Sequence, residues 1–283
     1  MKDMFSRAYL EITNCCNLSC SFCPGTRRKK AFLSPEQFRL LASRLRPHTN
    51  YLYLHVMGEP LLHPALEEIL EIARELGFRV IVTTNGTLLP EKQQTLLRAQ
   101  ALHKISISLH SFEANSRQDL EAYLDGCLDF GQKAAQRGVI VDYRLWNLDG
   151  QTPGLNEKNG QIEARLHRQY PAQWVKNTWG WRLCDYTFLH YGERFEWPDL
   201  NANEYGTDGG CRGLRDQIAV LCDGTVTLCC LDHEGDAALG NLFEAELSQI
   251  LALPRTQELL GGFQQHKRLH PLCRRCAYAQ RFR

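Results

Sequence analysis

The sequence predicts an α/β fold: a parallel sheet with helical crossovers, followed by a smaller, cysteine-bearing C-terminal unit. Three observations predict it. The first half alternates five short β-rich runs with helical patterns, the arrangement of strands joined by right-handed crossovers. Those runs are nearly continuous in apolar residues, as in a sheet covered on both sides. From Tyr205 onward the character changes to an Asp-Gly hairpin signal flanked by cysteines. An open doubly wound sheet and a barrel both satisfy this spacing.

Residues 7–13 read as the first strand, with Tyr9, Leu10 and Ile12 apolar. Ser34 can cap the helix that follows, and Pro35 suits its first turn. Residues 51–57 form the second strand. Residues 64–76 carry Leu66, Ile69, Leu70 and Ala73 at helical spacing, and Gly77 stops the run. Residues 78–83 are the third strand, 90–101 a helix and 105–109 the fourth strand. A long helix over 116–136 ends at Gly138, and 139–145 make the fifth strand. Residues 149–160, rich in Gly, Asn and Pro, read as a loop, and 161–169 as a helix. Aromatics are dense over 179–197, where a sixth strand is placed at 187–191. Residues 218–221 and 225–228 flank Asp223-Gly224 as a hairpin. A helix over 242–253 then precedes Cys273 and Cys276.

The chain has 283 residues, 43% of them apolar, enough for a sizeable core. A net charge of +1 gives no push toward nucleic acid, which is not expected as a partner. The one dense basic run, Arg27 to Lys30, reads as a solvated loop or as a contact for an anionic substrate. No run of about 18 apolar residues exists, so no membrane partner is expected. Residues 1–7 are polar and lack a signal peptide's apolar region, which points to the cytoplasm. Twelve cysteines in a reducing compartment argue for metal or redox chemistry rather than disulfides.

Directly after the first strand the chain reads Cys15-Cys16-Asn17-Leu18-Ser19-Cys20-Ser21-Phe22-Cys23-Pro24. Thiolates are the protein ligands of iron–sulfur clusters, and short spacings let one loop wrap the metal. Three ligands on a four-iron cluster leave one iron open, much as catalytic zinc sites keep an open position. Neighbouring side chains point apart in extended chain, which sends Cys15 toward the core. On these residues alone, a zinc knuckle or a set of buried thiols is the alternative.

The Cys-x3-Cys-x2-Cys spacing at Cys16, Cys20 and Cys23, with Phe22 before the last cysteine, resembles the signature of the radical S-adenosylmethionine (radical SAM) superfamily. The resemblance implies a [4Fe-4S] cluster on those three cysteines. Its open iron would bind the methionine amino and carboxylate groups of S-adenosyl-L-methionine. Electron transfer would then yield a 5′-deoxyadenosyl radical, with Phe22 beside the adenine. Met57-Gly58-Glu59-Pro60 resembles the family's Gly-Gly-Glu motif, which holds the methionine amino group; Met57 replaces the first glycine. By the same resemblance Asn85, Ser108 and Arg144 are expected to reach the cofactor's ribose and carboxylate. Without it, Asn85-Gly86 is a turn, Ser108 a locally bonded strand residue and Arg144 a surface charge. These positions close successive strands, the face that carries the active site of parallel β/α barrels. The resemblance therefore favours the family's partial (β/α)6 barrel over residues 1–205. It covers 7–145 well and 152–205 poorly.

Cys211 is followed by twelve residues, Gly224, four residues and Cys229. This resembles the opening half of the SPASM motif that follows the barrel in many radical SAM enzymes. Cys273-Arg274-Arg275-Cys276 adds a Cys-x2-Cys pair. Cys211, Cys229, Cys273 and Cys276 would close one auxiliary [4Fe-4S] cluster in residues 206–283, as in the shortened "twitch" form. Alternation along a strand excludes either Cys229 or Cys230, and the family spacing favours Cys229. Cys222 fits no ligand position, and Cys127 and Cys184 are expected as small buried hydrophobes. The same four cysteines also make a zinc ribbon pattern.

The resemblance implies a radical SAM oxidoreductase or maturase whose auxiliary cluster accepts an electron from a substrate radical or helps to bind substrate. A maturase that oxidises or cross-links a peptide or protein is favoured. The alternative is a dehydrogenase of a small alcohol or sugar, and, in another class, a non-catalytic zinc-binding protein. A flavodoxin or ferredoxin electron donor follows from the family. Substrate contacts are expected from residues 148–197, where Trp179, Trp181, His190, Tyr191, Arg194 and Trp197 line either a pocket or the core. His190 and Glu193 are candidate bases. Asp232-His233-Glu234 reads as an exposed turn.

Overall fold

The computed structural model describes residues 5–115, 119–148 and 157–282. The loop expected over 149–160 lies outside the described residues as far as residue 156. So do residues 116–118, at the expected start of the long helix, and residues 1–4.

Strands β1 (Arg7–Leu10), β2 (Tyr51–Tyr53), β3 (Arg79–Thr84), β4 (Leu102–Ser108) and β5 (Ile140–Leu148) lie side by side in chain order. Each runs parallel to the one before. Helices α1 (Pro35–Leu45), α2 (Leu66–Glu75), α3 (Leu89–Arg98) and α4 (Leu120–Gln136) make the crossovers. Ser34 caps α1 as the sequence predicts: its Oγ accepts from Gln37 N at 3.2 Å, and Gln37 Oε1 accepts from Ser34 N at 2.9 Å. After α5 (Glu157–Gln169) come β6 (Val175–Asn177), β7 (Gly180–Cys184) and β8 (Thr187–Glu193). β8 joins β5 in parallel as the expected sixth strand, while β7 and β6 extend the sheet in antiparallel fashion.

Along β1 to β5 and β8 the strand order never reverses. That is the winding of a barrel and not of a doubly wound sheet, so the six parallel strands form the partial (β/α)6 barrel. Alternation confirms which face is which. Leu10, Leu52, Val80, Val82, Ile105, Ile107, Val141, Tyr143 and Leu189 belong to one core shared with the helices. Each such side chain, fully buried, stabilises the fold by roughly 1.5–3 kcal/mol. Among the intervening positions, Thr83, Lys104, Ser106, Ser108, Asp142, Arg144 and His190 point polar groups to the other face. That face is mixed: Ile81 is buried there, and Tyr9 and Ala219 join Val56, Met57 and Leu221 in a second, smaller apolar cluster. Helices thus cover one face, and the expected apolar covering of the other holds only in part.

In the C-terminal part, β9 (Gln217–Val220) and β10 (Thr225–Thr227) form the expected hairpin, with Val220 opposite Val226. Gly224 makes the turn possible. Its φ is +83°, and a Cβ there would stand 2.4 Å from the Phe243 ring. β11 (Gly240–Asn241) pairs with β10. Helices α6 (Leu247–Ala252), α7 (Pro254–Gln264) and α8 (Pro271–Arg274) follow. The helix expected over 242–253 is shorter because Asn241 Oδ1 accepts from Phe243 N at 2.8 Å and holds a turn. β9 runs parallel to β1, Ala8 opposite Ile218, so one eleven-stranded sheet passes through both parts. A division at residue 206 would fall between β8 and β9 without breaking that sheet.

Candidate functional site

The loop that leaves β1 is pinned before it reaches its cysteines. Thr13 pairs with Phe32, and Thr13 Oγ1 donates to Ala31 O at 2.8 Å while accepting from Cys15 N at 3.0 Å. Asn14 is buried; its Nδ2 donates to Lys29 O and its Oδ1 accepts from Ala31 N. Cys15 Sγ lies 4.0 Å from Ala31 O, on this stem. Cys16, Cys20 and Cys23 are free, partly or fully exposed, and stand near one another. Burial, helped by the neighbouring Cys16 and Cys23, pushes the Cys20 thiol up to about 12. A bound metal would have to displace its proton.

The strand ends close around this loop. At Gly58 φ is +78°, and a Cβ would lie 2.5 Å from Thr13 O and 2.8 Å from Cys15 O. Only glycine lets the Met57-Gly58-Glu59-Pro60 turn sit against the cysteine loop, which Glu59 N secures by donating to Cys15 O at 2.7 Å. The buried Glu59 carboxylate accepts from Asn85 N at 2.7 Å and Leu61 N at 3.0 Å. Burial raises its carboxyl to about 7 despite those bonds. Asn85, just past β3, reaches the loop directly: its Nδ2 is 2.9 Å from Asn17 Oδ1 and 3.9 Å from Cys16 Sγ. From the end of β4, Glu113 accepts from Ser21 N and Oγ, and Ser111 O faces Cys20 Sγ at 4.0 Å. The Phe22 ring lies 4.8 Å from the His110 ring, and Trp197 Nε1 donates to Phe22 O. Burial pushes His110 down to about 4, so it is neutral at physiological pH.

Behind the loop the polar side chains of the barrel's other face form a charged constellation. Asp142 is 1% exposed. Lys104 Nζ at 2.9 Å, Arg144 Nε at 3.0 Å and His190 Nδ1 at 2.7 Å surround its carboxylate. Burial alone would raise the Asp142 carboxyl; Arg144, His190 and Lys104 overcome it and hold the group well below the usual range. Ser108 and Arg144 stand opposite each other on β4 and β5, and Arg144 stands opposite His190 on β8. The Arg144 guanidinium also covers the Trp146 ring at 4.5 Å. His55 Nδ1 is buried with no partner, and burial together with Arg144 lowers the ring to about 3.

Of the aromatic and charged residues expected to contact substrate, His190, Arg194 and Trp197 come to this face. Arg194 pairs with Glu113 at 3.3 Å. Trp179 is exposed, Trp181 packs against the helical core, and the Tyr191 hydroxyl donates to Glu163 on α5. Glu193 is exposed at the rim. The basic run is solvated at Arg27, Lys29 and Lys30, as expected, and departs from that only at Arg28, which grips the fully buried Glu11 carboxylate through two 2.7 Å bonds. One expectation is corrected outright. Asp232 and His233 are buried, not exposed. Asp232 accepts from Asp236 N and Ala237 N, and burial lifts its carboxyl to about 6.

In the C-terminal part Cys211, Cys229, Cys273 and Cys276 lie within electrostatic reach of one another, although no three of them close to single-metal distance among the described residues. Burial drives the Cys229 and Cys273 thiols well above the ordinary range, helped by Cys230 and Cys211 at the first and by Cys211 and Cys276 at the second. Cys230 adjoins Cys229 and hydrogen-bonds with the Tyr9 hydroxyl. Cys222 packs by Arg28, whose Nη1 is 3.8 Å from its sulfur. Cys127 is buried as expected, but Cys184 is exposed, a correction. Sequence reasoning missed Asp142, Glu11 and His55. For Asp142 the signal was the period-two polar positions inside β4 and β5, hidden by the apolar residues between them; Glu11 and His55 lie just beyond β1 and β2, where no such pattern marks them.

Residues 10–158 match the family model of the radical SAM superfamily. The chain belongs to that superfamily. Residues 211–277 match SPASM, an iron-sulfur cluster-binding domain. The cofactors of this radical SAM chain are accordingly a [4Fe-4S] cluster with S-adenosylmethionine and an auxiliary iron–sulfur cluster. The Fe-coproporphyrin III synthase of Methanosarcina barkeri is 28% identical over 149 residues, 51% of this chain and 37% of that protein. A probable GTP 3′,8-cyclase of Sulfurisphaera tokodaii is 32% identical over 195 residues, 63% of this chain and 62% of that protein. The chain thus matches less than two thirds of the length of either relative. The crystal structure of BtrN in complex with AdoMet and 2-DOIA has a TM-score of 0.61 at 18% identity, covering 98% of this chain and 94% of that one. Streptococcus suis SuiB bound to precursor peptide SuiA has a TM-score of 0.59 at 12% identity, covering 97% and 71%. These likenesses carry the radical SAM fold with its smaller auxiliary domain. No helix among the described residues is long and apolar enough to cross a membrane.

Proposed function

We propose that Cys16, Cys20 and Cys23 hold the radical SAM cluster and that Cys211, Cys229, Cys273 and Cys276 hold the auxiliary one. The observation that carries this reading is the loop after β1: three free thiols gathered where the parallel strands end, with Cys15 set on the stem. All-thiol donor sets suit iron–sulfur clusters. The bound cluster supplies the electron that cleaves S-adenosylmethionine to a 5′-deoxyadenosyl radical.

The chain's own residues bind and orient. Gly58 lets its turn offer backbone groups to the methionine amino group, and Glu59 locks that turn to β3. Asn85 braces the loop beside Cys16. Ser108 and Arg144, in register on neighbouring strands, are proposed to meet the ribose and carboxylate, and Phe22 to bound the adenine. His190, oriented by Asp142, is proposed to take a substrate proton during oxidation. A flavodoxin or ferredoxin is the proposed electron donor.

For the substrate we favour a small polar molecule, an alcohol or a sugar. Lys104 and His190, partly exposed over the buried Asp142, suit hydroxyl and amino groups. The likeness to BtrN, seen with 2-DOIA, also runs over 98% of this chain and 94% of that one. A peptide maturase is the second reading, supported by the likeness to SuiB, seen with its precursor peptide. Anaerobic reconstitution tests the core of the proposal. We expect about eight irons per chain, 5′-deoxyadenosine release after reduction, and loss of that release in Cys20→Ala. Zinc in place of iron, or release retained by Cys20→Ala, overturns it. Turnover of polyols and amino sugars against short peptides then decides the substrate class.

A further inference from the structure

Arg268 heads the largest fully buried side chains, at 1% exposure. It follows α7 and lies outside every motif in the sequence. Its backbone N donates to Thr207 O at 2.6 Å, and its Nη2 donates to Asp208 O. Its Nε and Nη1 are buried with no partner at all. Gly209 makes room for the group: a Cβ there would stand 2.7 Å from Nη2 and 3.2 Å from Cζ. The fold has thus cleared a slot for a guanidinium beside Cys211 and left two of its nitrogens unanswered.

A buried charge without an anion costs several kcal/mol. The neighbouring cations do not share this predicament, since Arg274 and Arg275 both pair with Glu204. What Arg268 lies against instead is the backbone that carries a thiol: its guanidinium packs on Gly209, two residues before Cys211. A cluster held by four thiolates is a net anion, and one-electron reduction makes it more negative. An unscreened cation in a dry surrounding favours the more negative state.

We propose that Arg268 is a tuning residue of the auxiliary cluster, its buried charge left without an anion until a cluster is held there, and that it raises the cluster's reduction potential. This rests on the reading of Cys211, Cys229, Cys273 and Cys276 as ligands. In turnover the substrate radical would lose one electron and the auxiliary cluster gain one; Arg268 eases that gain without touching substrate.

The test is a redox titration of the full chain carrying Cys16→Ala, Cys20→Ala and Cys23→Ala, so that only the auxiliary cluster is read. If this protein binds no iron, the ligand reading itself fails. If it holds about four irons, Arg268→Gln decides the inference. We expect the iron retained and the reduction equilibrium weakened at least tenfold, a drop of 59 mV or more for one electron, with Arg268→Lys between Gln and the parent. An unchanged potential in Arg268→Gln overturns the proposal. Should Arg268→Gln hold no cluster, Arg268→Lys is read instead: a recovered cluster near the parent potential supports the charge, and loss there too overturns it.

Discussion

At Gly58 the backbone is left-handed and the space for a side chain is already taken by the carbonyls of Thr13 and Cys15. Gly58→Ala should push the turn off the cysteine loop. Iron should then fall from about eight to about four per chain, with the auxiliary cluster intact in its electron paramagnetic resonance spectrum. His110 carries a different prediction. Burial lowers its pKa from 6.5 to about 4, so the folded state favours the neutral ring and the unfolded state the charged one. The stability this contributes is complete above pH 6.5 and is lost as pH falls toward 4. The whole effect is about 3 kcal/mol. In urea titrations, the deficit of His110→Gln relative to the parent should therefore shrink from pH 7 to pH 4.5; a constant deficit would contradict the shift.

The elements show how far local chemistry carries and where it stops. Ser34→Ala removes the cap of α1 and should cost about 1 kcal/mol in the same titration, leaving iron content unchanged. That cap, the Asp223-Gly224 hairpin and the sixth strand were legible because each is written in a few neighbouring residues. The cysteine loop and the turn after β2 were legible for the same reason. The β6–β7 hairpin was not, because its aromatics follow no period and Val175 and Trp179 stay exposed. Nor was α7, whose Gly261-Gly262 reads as a break inside a helix. The polar groups of the inner face were missed for a subtler reason. Lys104, Ser106 and Asp142 look like surface residues until the sheet curls and turns them onto one another and onto Arg144, which the family resemblance alone had singled out. Arg28 finding Glu11, and Arg268 finding its slot, depend on contacts that no local pattern announces.

At the scale of the molecule, one carboxylate fastens the two halves. Glu11, at the end of β1, holds Arg28, Met57 N at 3.0 Å and Cys222 N at 3.1 Å. It thereby joins the cysteine loop's stem, the turn after β2 and the C-terminal hairpin. Arg28→Met should cost about 3–5 kcal/mol by leaving a buried charge alone. Adding Glu11→Gln should restore part of that loss, which a double-mutant cycle measures. The same seam has a second consequence. Strand β9 is what β1 has on its outer side, residue for residue from Arg7 to Leu10. A chain cut short before the hairpin would leave that rim of amides and carbonyls bare, a template on which another copy could zip itself. The barrel half made alone should therefore clump, and the cysteine-bearing tail serves it as a hem.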